Sequence, residues 1–250
     1  MKKVKKIESG TNKIIFFDTD GNETDGTIDD CNFIGGKFKN RACFMPVNTE
    51  KKPNSIGNNI NTGQGNSIQL AENCNVYGNY NEVLGANFAT IHGFNSQAIR
   101  HGEFVQGFSD SIARAQRSVL IFQGRTTGTN YTELFLGGKA GKRFIVDENK
   151  ETVIGLEAHI LGYRVDSGGL GDCNSIFQHA SFETISGTLT QVGSTHTASD
   201  QKNHSSSWAN RYTATSGDPD YIKVEVKGGN GSTIDWTVIL YVNEMRLDAI

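Results

Sequence analysis

A short unit repeats between Ile56 and Phe108: an apolar, β-forming residue is followed within a few positions by glycine and then by asparagine or serine. The units include residues 67–73, 76–79, 83–87, 91–95 and 105–109. Their branched residues, at positions 60, 68, 76, 83, 91, 99 and 105, are separated by 8, 8, 7, 8, 8 and 6 residues. A short strand followed by a tight turn fits this spacing, whereas a helical heptad does not. Stacked units of this kind form a solenoid, so the sequence predicts a parallel β-roll.

The alignment of the units also predicts which side chains are hidden. One branched residue in each unit points away from solvent, either into the roll or into an interface between chains. We expect this role for Ile68, Val76, Val83, Ile91 and Val105.

The composition favours strands throughout the chain. Its 250 residues include 29 glycines and only 3 prolines, which suits many tight turns, because proline would remove donors from the strand ladders. No long stretch shows a helical apolar period. We therefore predict an all-β protein, in which a short β-roll or solenoid is followed by β-hairpins and a C-terminal β-sandwich.

Turn-rich joints divide the chain into five predicted segments. They are an N-terminal β segment for docking (1–50), the roll (51–108), a neck (109–118), a shaft or subdomain of β-hairpins (119–165) and a β-sandwich that forms the receptor-binding tip (166–250). Within the sandwich, the alternating run 221–227 is predicted to form a hairpin with 234–242.

The roll is short, and its units carry more apolar side chains than a thin two-sided roll can hide. The surplus residues are Tyr77, Leu84, Phe88, Phe94, Phe104 and Phe108. A second apolar face implies association, and a threefold arrangement would protect it around a long axis. We therefore expect an elongated homotrimer; the alternative is that these side chains cap the roll within one chain.

Parts of the repeat resemble a known family. Residues 57–60, 76–79 and 83–87 resemble the parallel β-roll repeats in the heads of trimeric autotransporter adhesins. Those adhesins carry a signal peptide and a membrane barrel, which this sequence does not show. As a whole the chain looks more like a bacteriophage tail fibre, tailspike or receptor-binding protein, and that resemblance implies attachment to a host cell surface.

Charge and cysteine usage narrow the function classes. The formal net charge is −3 with mixed signs, which gives no electrostatic footprint for nucleic acid, and we interpret the lysine-rich run at residues 2–6 as a frayed terminus. The four cysteines are too far apart for a metal ribbon and are predicted to be free thiols made in a reducing cytoplasm. Neither a signal peptide nor a membrane-inserting segment is expected.

Metal and catalytic motifs are weak. Residues 18–22 are similar to the start of a calcium loop, but Glu23 stands where an EF-hand needs glycine, so we predict a turn. The six histidines form no close-spaced ligand pair. Carboxylates such as Asp147 and Asp220 lie in no catalytic motif, so we expect no enzyme, no cofactor and no metal, with glycoside hydrolysis as an open alternative.

The most suggestive binding segment is 195–212, in which short polar residues surround a few large side chains. Aromatic rings cover the apolar face of a sugar while polar groups bind its hydroxyls. The segment predicts a glycan or receptor site at His204, Trp208, Arg211 and Tyr212. The alternative is that Trp208 and Tyr212 are inward residues of a strand.

These features together predict a structural protein of a virion that attaches to a host cell. Its expected partners are two further copies of the chain, a tail or baseplate protein that binds the N-terminal segment, and a host surface glycan or protein. The alternatives are a decoration or head-fibre protein without a specific receptor and a polysaccharide-degrading tailspike. A left-handed β-helix acyltransferase is disfavoured, because its coils need a strict six-residue period.

Overall fold

The computed structural model describes residues 4–7, 13–17, 21–25, 27, 37–39, 42–44, 59–147, 150–167, 171–203 and 208–247. The chain forms two units, Met1–Lys52 and Pro53–Ile250. Every regular element in these described ranges is a strand. This confirms the predicted all-β class.

The first unit is a small antiparallel sheet. Its strands are β1 (Val4–Ile7), β2 (Lys13–Phe17), β3 (Glu23–Asp25), β4 (Lys37–Lys39) and β5 (Ala42–Phe44), in the order β1-β2-β5-β4 with β3 also paired to β2. The apolar run of β2 supplies its buried residues, Ile14, Ile15 and Phe16. The predicted calcium-like turn at 18–22 lies mostly outside the described residues.

The second unit begins with a parallel β-solenoid, which confirms the predicted roll. One side is formed by β6 (Ile60–Thr62), β8 (Asn75–Asn79), β10 (Thr90–Phe94) and β12 (Phe104–Phe108), and the other by β7 (Ser67–Gln69), β9 (Glu82–Leu84) and β11 (Gln97–Ala98). Val76 lies opposite Ile91, which in turn lies opposite Val105. Two repeat units therefore make one coil, and successive coils place equivalent residues about 15 positions apart.

The solenoid core is made of branched and small side chains. The five residues predicted for the roll or an interface, Ile68, Val76, Val83, Ile91 and Val105, are all buried in it. Two other branched residues of the repeat, at positions 60 and 99, are not part of this core. Ile60 is exposed, because Asn61 takes the register position opposite Val76. Ala98, not Ile99, occupies the inward position opposite Val83.

A ladder of buried polar side chains explains the glycine and asparagine of the repeat. Asn81 donates a hydrogen bond from Nδ2 to the carbonyl of Gly93 (2.9 Å), and its Oδ1 accepts one from the amide of Ser96 (3.0 Å). Asn66 makes the equivalent bonds one coil earlier. A Cβ atom on Gly78 would lie 1.9 Å from the carbonyl oxygen of Gly93, so only glycine fits there. The ladder thus satisfies buried backbone groups from coil to coil.

Long antiparallel strands follow the solenoid in the same sheet. They are β13 (Ala115–Thr127), β16 (Glu151–Arg164), β17 (Cys173–Ile185), β18 (Thr188–Lys202) and β21 (Thr233–Leu247), in the order β18-β17-β16-β21-β13. We call these five strands the large sheet. Because β13 pairs with β12 as well as with β21, the large sheet continues directly into one side of the solenoid.

A smaller sheet covers one side of the large sheet. It contains β14 (Thr132–Leu136), β15 (Phe144–Ile145), β19 (Ala209–Thr215) and β20 (Tyr221–Lys227), and it is joined to the large sheet because β14 pairs with β13 as well as with β20. The two sheets share one apolar core, to which the small sheet contributes Val224 and Val226 and the large sheet Val238 and Leu240. Along β13, β16, β17 and β21 nearly every second residue is buried, as expected for a sandwich.

The sandwich differs from its prediction in extent. Residues 119–165 do not form a separate shaft, because β16 pairs with β21 along its whole length. The predicted neck at 109–118 ends inside β13, which begins at Ala115. The predicted hairpin of 221–227 with 234–242 is wrong: β20 belongs to the small sheet and β21 to the large one. The glycine-rich turn between them connects the two layers.

A buried charge cluster joins the solenoid to the large sheet. The Arg100 guanidinium lies 2.8 Å from a Glu103 oxygen and 3.0 Å from a Glu244 oxygen, with all three side chains inaccessible to solvent. Arg246 donates a further hydrogen bond to Glu244 (3.0 Å). Burial by itself would raise the pKa of Glu244, but Arg100 and Arg246 outweigh burial and lower it to about 2. We call these four residues the junction cluster.

Candidate binding surface

The structure separates the residues of the predicted glycan site. Trp208 and Tyr212 are buried in the sandwich core, where Trp208 packs edge-on against Trp236 with ring centres 5.5 Å apart. Burial also raises the pKa of Tyr212. The alternative interpretation of these two aromatic residues as inward residues is therefore correct, and neither presents a ring to a ligand.

Among the predicted site residues that the structure describes, Arg211 is the one exposed to solvent. It points away from the core and forms two hydrogen bonds to Glu225, at 2.8 and 3.0 Å. Its guanidinium also lies 4.1 Å from the centre of the Tyr131 ring. The hydrogen bond from Arg211 lowers the pKa of Glu225, although burial opposes this. Arg211 is thus already engaged within the small sheet.

The rest of the predicted binding segment is not a loop. Residues 195–202 belong to β18, at the edge of the large sheet. His204, the fourth predicted site residue, lies outside the described residues. Pairing of β18 with β17, interrupted by two register shifts, replaces the expected loop, because alternating threonine and serine residues are compatible with an exposed edge strand.

A groove lies on the uncovered side of the large sheet and has a volume of about 600 Å³. It crosses β21, β16, β17 and β18 near the ends of the strands. Its lining residues are Leu161, Gly162, Tyr163, Cys173, Asn174, Ser175, Gln201, Lys202, Asn203, Asp235 and Thr237. Sequence reasoning missed this site, because it is assembled by strand register: Leu161 lies opposite both Ser175 and Thr237.

The groove combines an apolar surface with polar groups. Tyr163 and Leu161 are half-exposed and supply the apolar part. Asp235 lies opposite Tyr163 in the register and forms two hydrogen bonds with Arg125, at 2.6 and 2.9 Å. The hydrogen bond from Arg125 lowers the pKa of Asp235. Ser175 and Gln201 add a hydroxyl and an amide, so the groove offers both a ring face and hydrogen-bonding groups to a ligand.

The described residues contain no group of three or more His, Cys, Asp or Glu side chains placed to hold a metal ion. Strand pairing does bring His179 opposite His196, with ring centres 6.3 Å apart, a proximity that the sequence spacing does not reveal. Cys74 is buried and Cys173 exposed, and both are free thiols. In the described ranges, no helix has the length and apolarity needed to cross a membrane.

The fold and the groove define an all-β protein built from a parallel solenoid and a β-sandwich. The chain is similar to two solved tailspike proteins, each 7% identical to it. The match to the tailspike of Acinetobacter baumannii phage AM24 has a TM-score of 0.30 and covers 78% of this chain and 50% of the tailspike chain. The match to the tailspike of Acinetobacter phage vB_ApiP_P1 has a TM-score of 0.21 and covers 75% of this chain and 47% of the tailspike chain. The chain thus spans about half the length of these tailspikes. The sequence matches no protein family and no curated protein.

Proposed function

We propose that this chain is a fibre or spike protein of a bacteriophage virion and that it attaches the virion to the surface of a host cell. The observation that carries the proposal is the continuous sheet of the second unit. Its solenoid stacks strands in parallel, and β12 continues this stack into the large sheet through β13. Such an arrangement suits a rigid support that presents a binding surface beyond a fixed stem.

The assembly that we propose is a homotrimer. Besides its buried core, the solenoid has exposed apolar side chains on its β6-β8-β10-β12 side, including Tyr77 and Phe108, the latter of which is 86% exposed. Monomeric proteins rarely leave this much apolar surface in water. We further propose that the first unit binds a tail or baseplate protein, because a small sheet of short strands buries little area by itself.

For the host ligand we propose a surface glycan that binds in the groove, not at the predicted 204–212 site. Tyr163 offers a half-exposed ring, and the neighbouring hydroxyl, amide and carboxylate groups match the donors and acceptors of a sugar. The ligand is bound without being cleaved. Release of new reducing ends from host polysaccharide by the purified protein would contradict this part of the proposal.

The test compares two tyrosines of equal exposure. Tyr163 is 48% exposed in the groove, and Tyr80 is 49% exposed on the solenoid. Tyr163→Ala should weaken binding to host cells and extracted glycans by about 1–3 kcal/mol, because it removes a central contact. Tyr80→Ala is the matched control and should bind normally. Unchanged binding by Tyr163→Ala, or equal losses in both variants, would refute the groove as the site, and a wild-type protein that binds no host cells would refute attachment itself.

A further inference from the structure

The two faces of the large sheet lie in different environments. One face packs on the small sheet, which buries residues such as Ile160 and Val238. The other face is covered by no element among the described residues of the second unit, and it carries large apolar side chains. Those that lie together near its centre are Val119, Ile121, Phe177, Ile239 and Tyr241, to which His159 is added; we call these six residues the apolar band.

Strand register brings the apolar band together. Ile121 lies opposite Ile239 across β13 and β21, and His159 lies opposite both Ile239 and Phe177. The His159 ring packs against Phe177, with ring centres 4.6 Å apart, and against Tyr241, at 5.7 Å. Four adjacent strands therefore present one contiguous surface in which aromatic rings are already ordered, so covering it costs little side-chain entropy.

The size of this face matches a protein interface. Four strands of 13 to 15 residues form it. At the usual strand spacing and rise, they cover about 20 Å by 45 Å, or about 900 Å². Stable interfaces bury about 800 Å² on each partner, so the face as a whole, polar residues included, is large enough for one.

Charges beside the apolar band are self-complementary. The Arg117 guanidinium lies 5.5 Å from the Tyr241 ring centre, and Glu157 lies opposite Tyr241 on the next strand. A second copy of the same face brings a carboxylate for the arginine and an arginine for the carboxylate. A foreign partner would have to supply both charges in the same arrangement.

The band also continues along the second unit. Phe104 of β12 lies opposite Val119 of β13, which joins the outer side of the solenoid to the apolar band. A partner that covers this surface must be as long as the unit itself. A copy of this chain has that length, and rotational symmetry applies the same face of each copy to its neighbours.

We propose that the uncovered face of the large sheet, centred on the apolar band, is the surface through which copies of this chain form the trimer. The proposal rests on the homotrimer stated above and assigns its interface to particular residues. It places the glycan groove at the rim of that interface, since the groove begins two residues further along the strands, at Leu161 and Thr237.

The test places a carboxylate at two exposed apolar residues on different faces of the full chain. Ile121 is 46% exposed in the apolar band, and Leu84 is 44% exposed on the β7-β9-β11 side of the solenoid. Light scattering should give about three times the chain mass of 27.3 kDa for the wild type and for Leu84→Glu. Ile121→Glu should weaken association about 100-fold or more, because three unpaired carboxylates would be buried at the interface. Ile121→Gln should show a smaller loss.

Circular dichroism checks that each variant keeps its strands, which is expected because both residues are half-exposed within one chain. A folded, fully trimeric Ile121→Glu variant would overturn the proposal, and so would dissociation by Leu84→Glu alone. A monomeric wild type would overturn the trimer together with its interface. Binding of host cells is measured separately, so a trimer that assembles through this face and binds no cells would refute attachment and leave the interface standing.

Discussion

Replacing Glu244 with glutamine tests whether the junction cluster holds the solenoid to the large sheet. The cluster contains two guanidinium groups, Arg100 and Arg246, and two carboxylates, Glu103 and Glu244, so its charges balance. Glutamine keeps the size of the side chain but leaves a net positive charge among side chains that are at most 4% exposed. The change therefore isolates the electrostatic contribution from packing.

The expected loss follows from the contacts. Glu244 accepts two hydrogen bonds from Arg100, at 3.0 and 3.3 Å, and one from Arg246, at 3.0 Å. Glutamine retains one acceptor oxygen, but it cannot balance the charge of either arginine. Removing one partner of a buried ion pair costs about 3–5 kcal/mol. For a chain of this size, this corresponds to a fall in melting temperature on the order of 10 °C.

Asp235→Asn is the matched control, because it removes one carboxylate from the same strand. Its partner Arg125 is exposed, so the pair contributes at most about 1 kcal/mol. Thermal unfolding is followed by circular dichroism at one protein concentration, since assembly makes the apparent stability depend on concentration. Equal shifts for Glu244→Gln and Asp235→Asn would refute the reasoning.

Three further predictions concern stability. Trp208→Ala should lower the free energy of unfolding by about 3–5 kcal/mol, measured by urea denaturation, because Trp208 is buried in the core. A variant of normal stability that loses only glycan binding would instead support the glycan site predicted from the sequence. Asn81→Ala should cost about 1–3 kcal/mol for each backbone group that it leaves unpaired, and normal stability would contradict the ladder. Because the pKa of Glu244 is lowered from 4.5 to about 2, the stabilisation by this carboxylate should be complete above pH 4.5 and lost towards pH 2; acid titration of Glu244→Gln should lack this part of the decline.

Local sequence patterns predicted the positions of strands better than they predicted which strands pair with each other. The alternation of residues 221–227 gives the bounds of β20 correctly, because period-two alternation depends only on neighbouring residues. The partner of β20 is chosen by packing between layers, and the short glycine-rich turn to β21 is equally compatible with a crossing between sheets. The pairing of strands in the solenoid was predictable, because its contacts join residues that repeat at a nearly constant short spacing along the sequence.

The binding sites show the same difference between local patterns, which the sequence reveals, and long-range contacts, which it does not. Tyr212 lies on the buried face of β19 and Arg211 on the other, and Trp208, which directly precedes the strand, has the same parity as Tyr212. Strict alternation therefore already argues against a site that needs all three. The groove and the junction cluster could not be predicted in this way. Arg100 and Glu244, for example, are 144 positions apart, and only the pairing of β12, β13 and β21 brings them together.

The nearly constant length of its coils makes the height of the solenoid adjustable in whole steps. Asn66, Asn81 and Ser96 occupy the same place in successive coils, 15 residues apart. Duplication of a 15-residue block would therefore insert one coil, about 4.8 Å tall, without altering the strands that receive it. An insertion of half that length would exchange the two sides of the roll and bury the wrong residues. The length of the solenoid can thus change by duplication of whole coils while the groove on the large sheet stays intact.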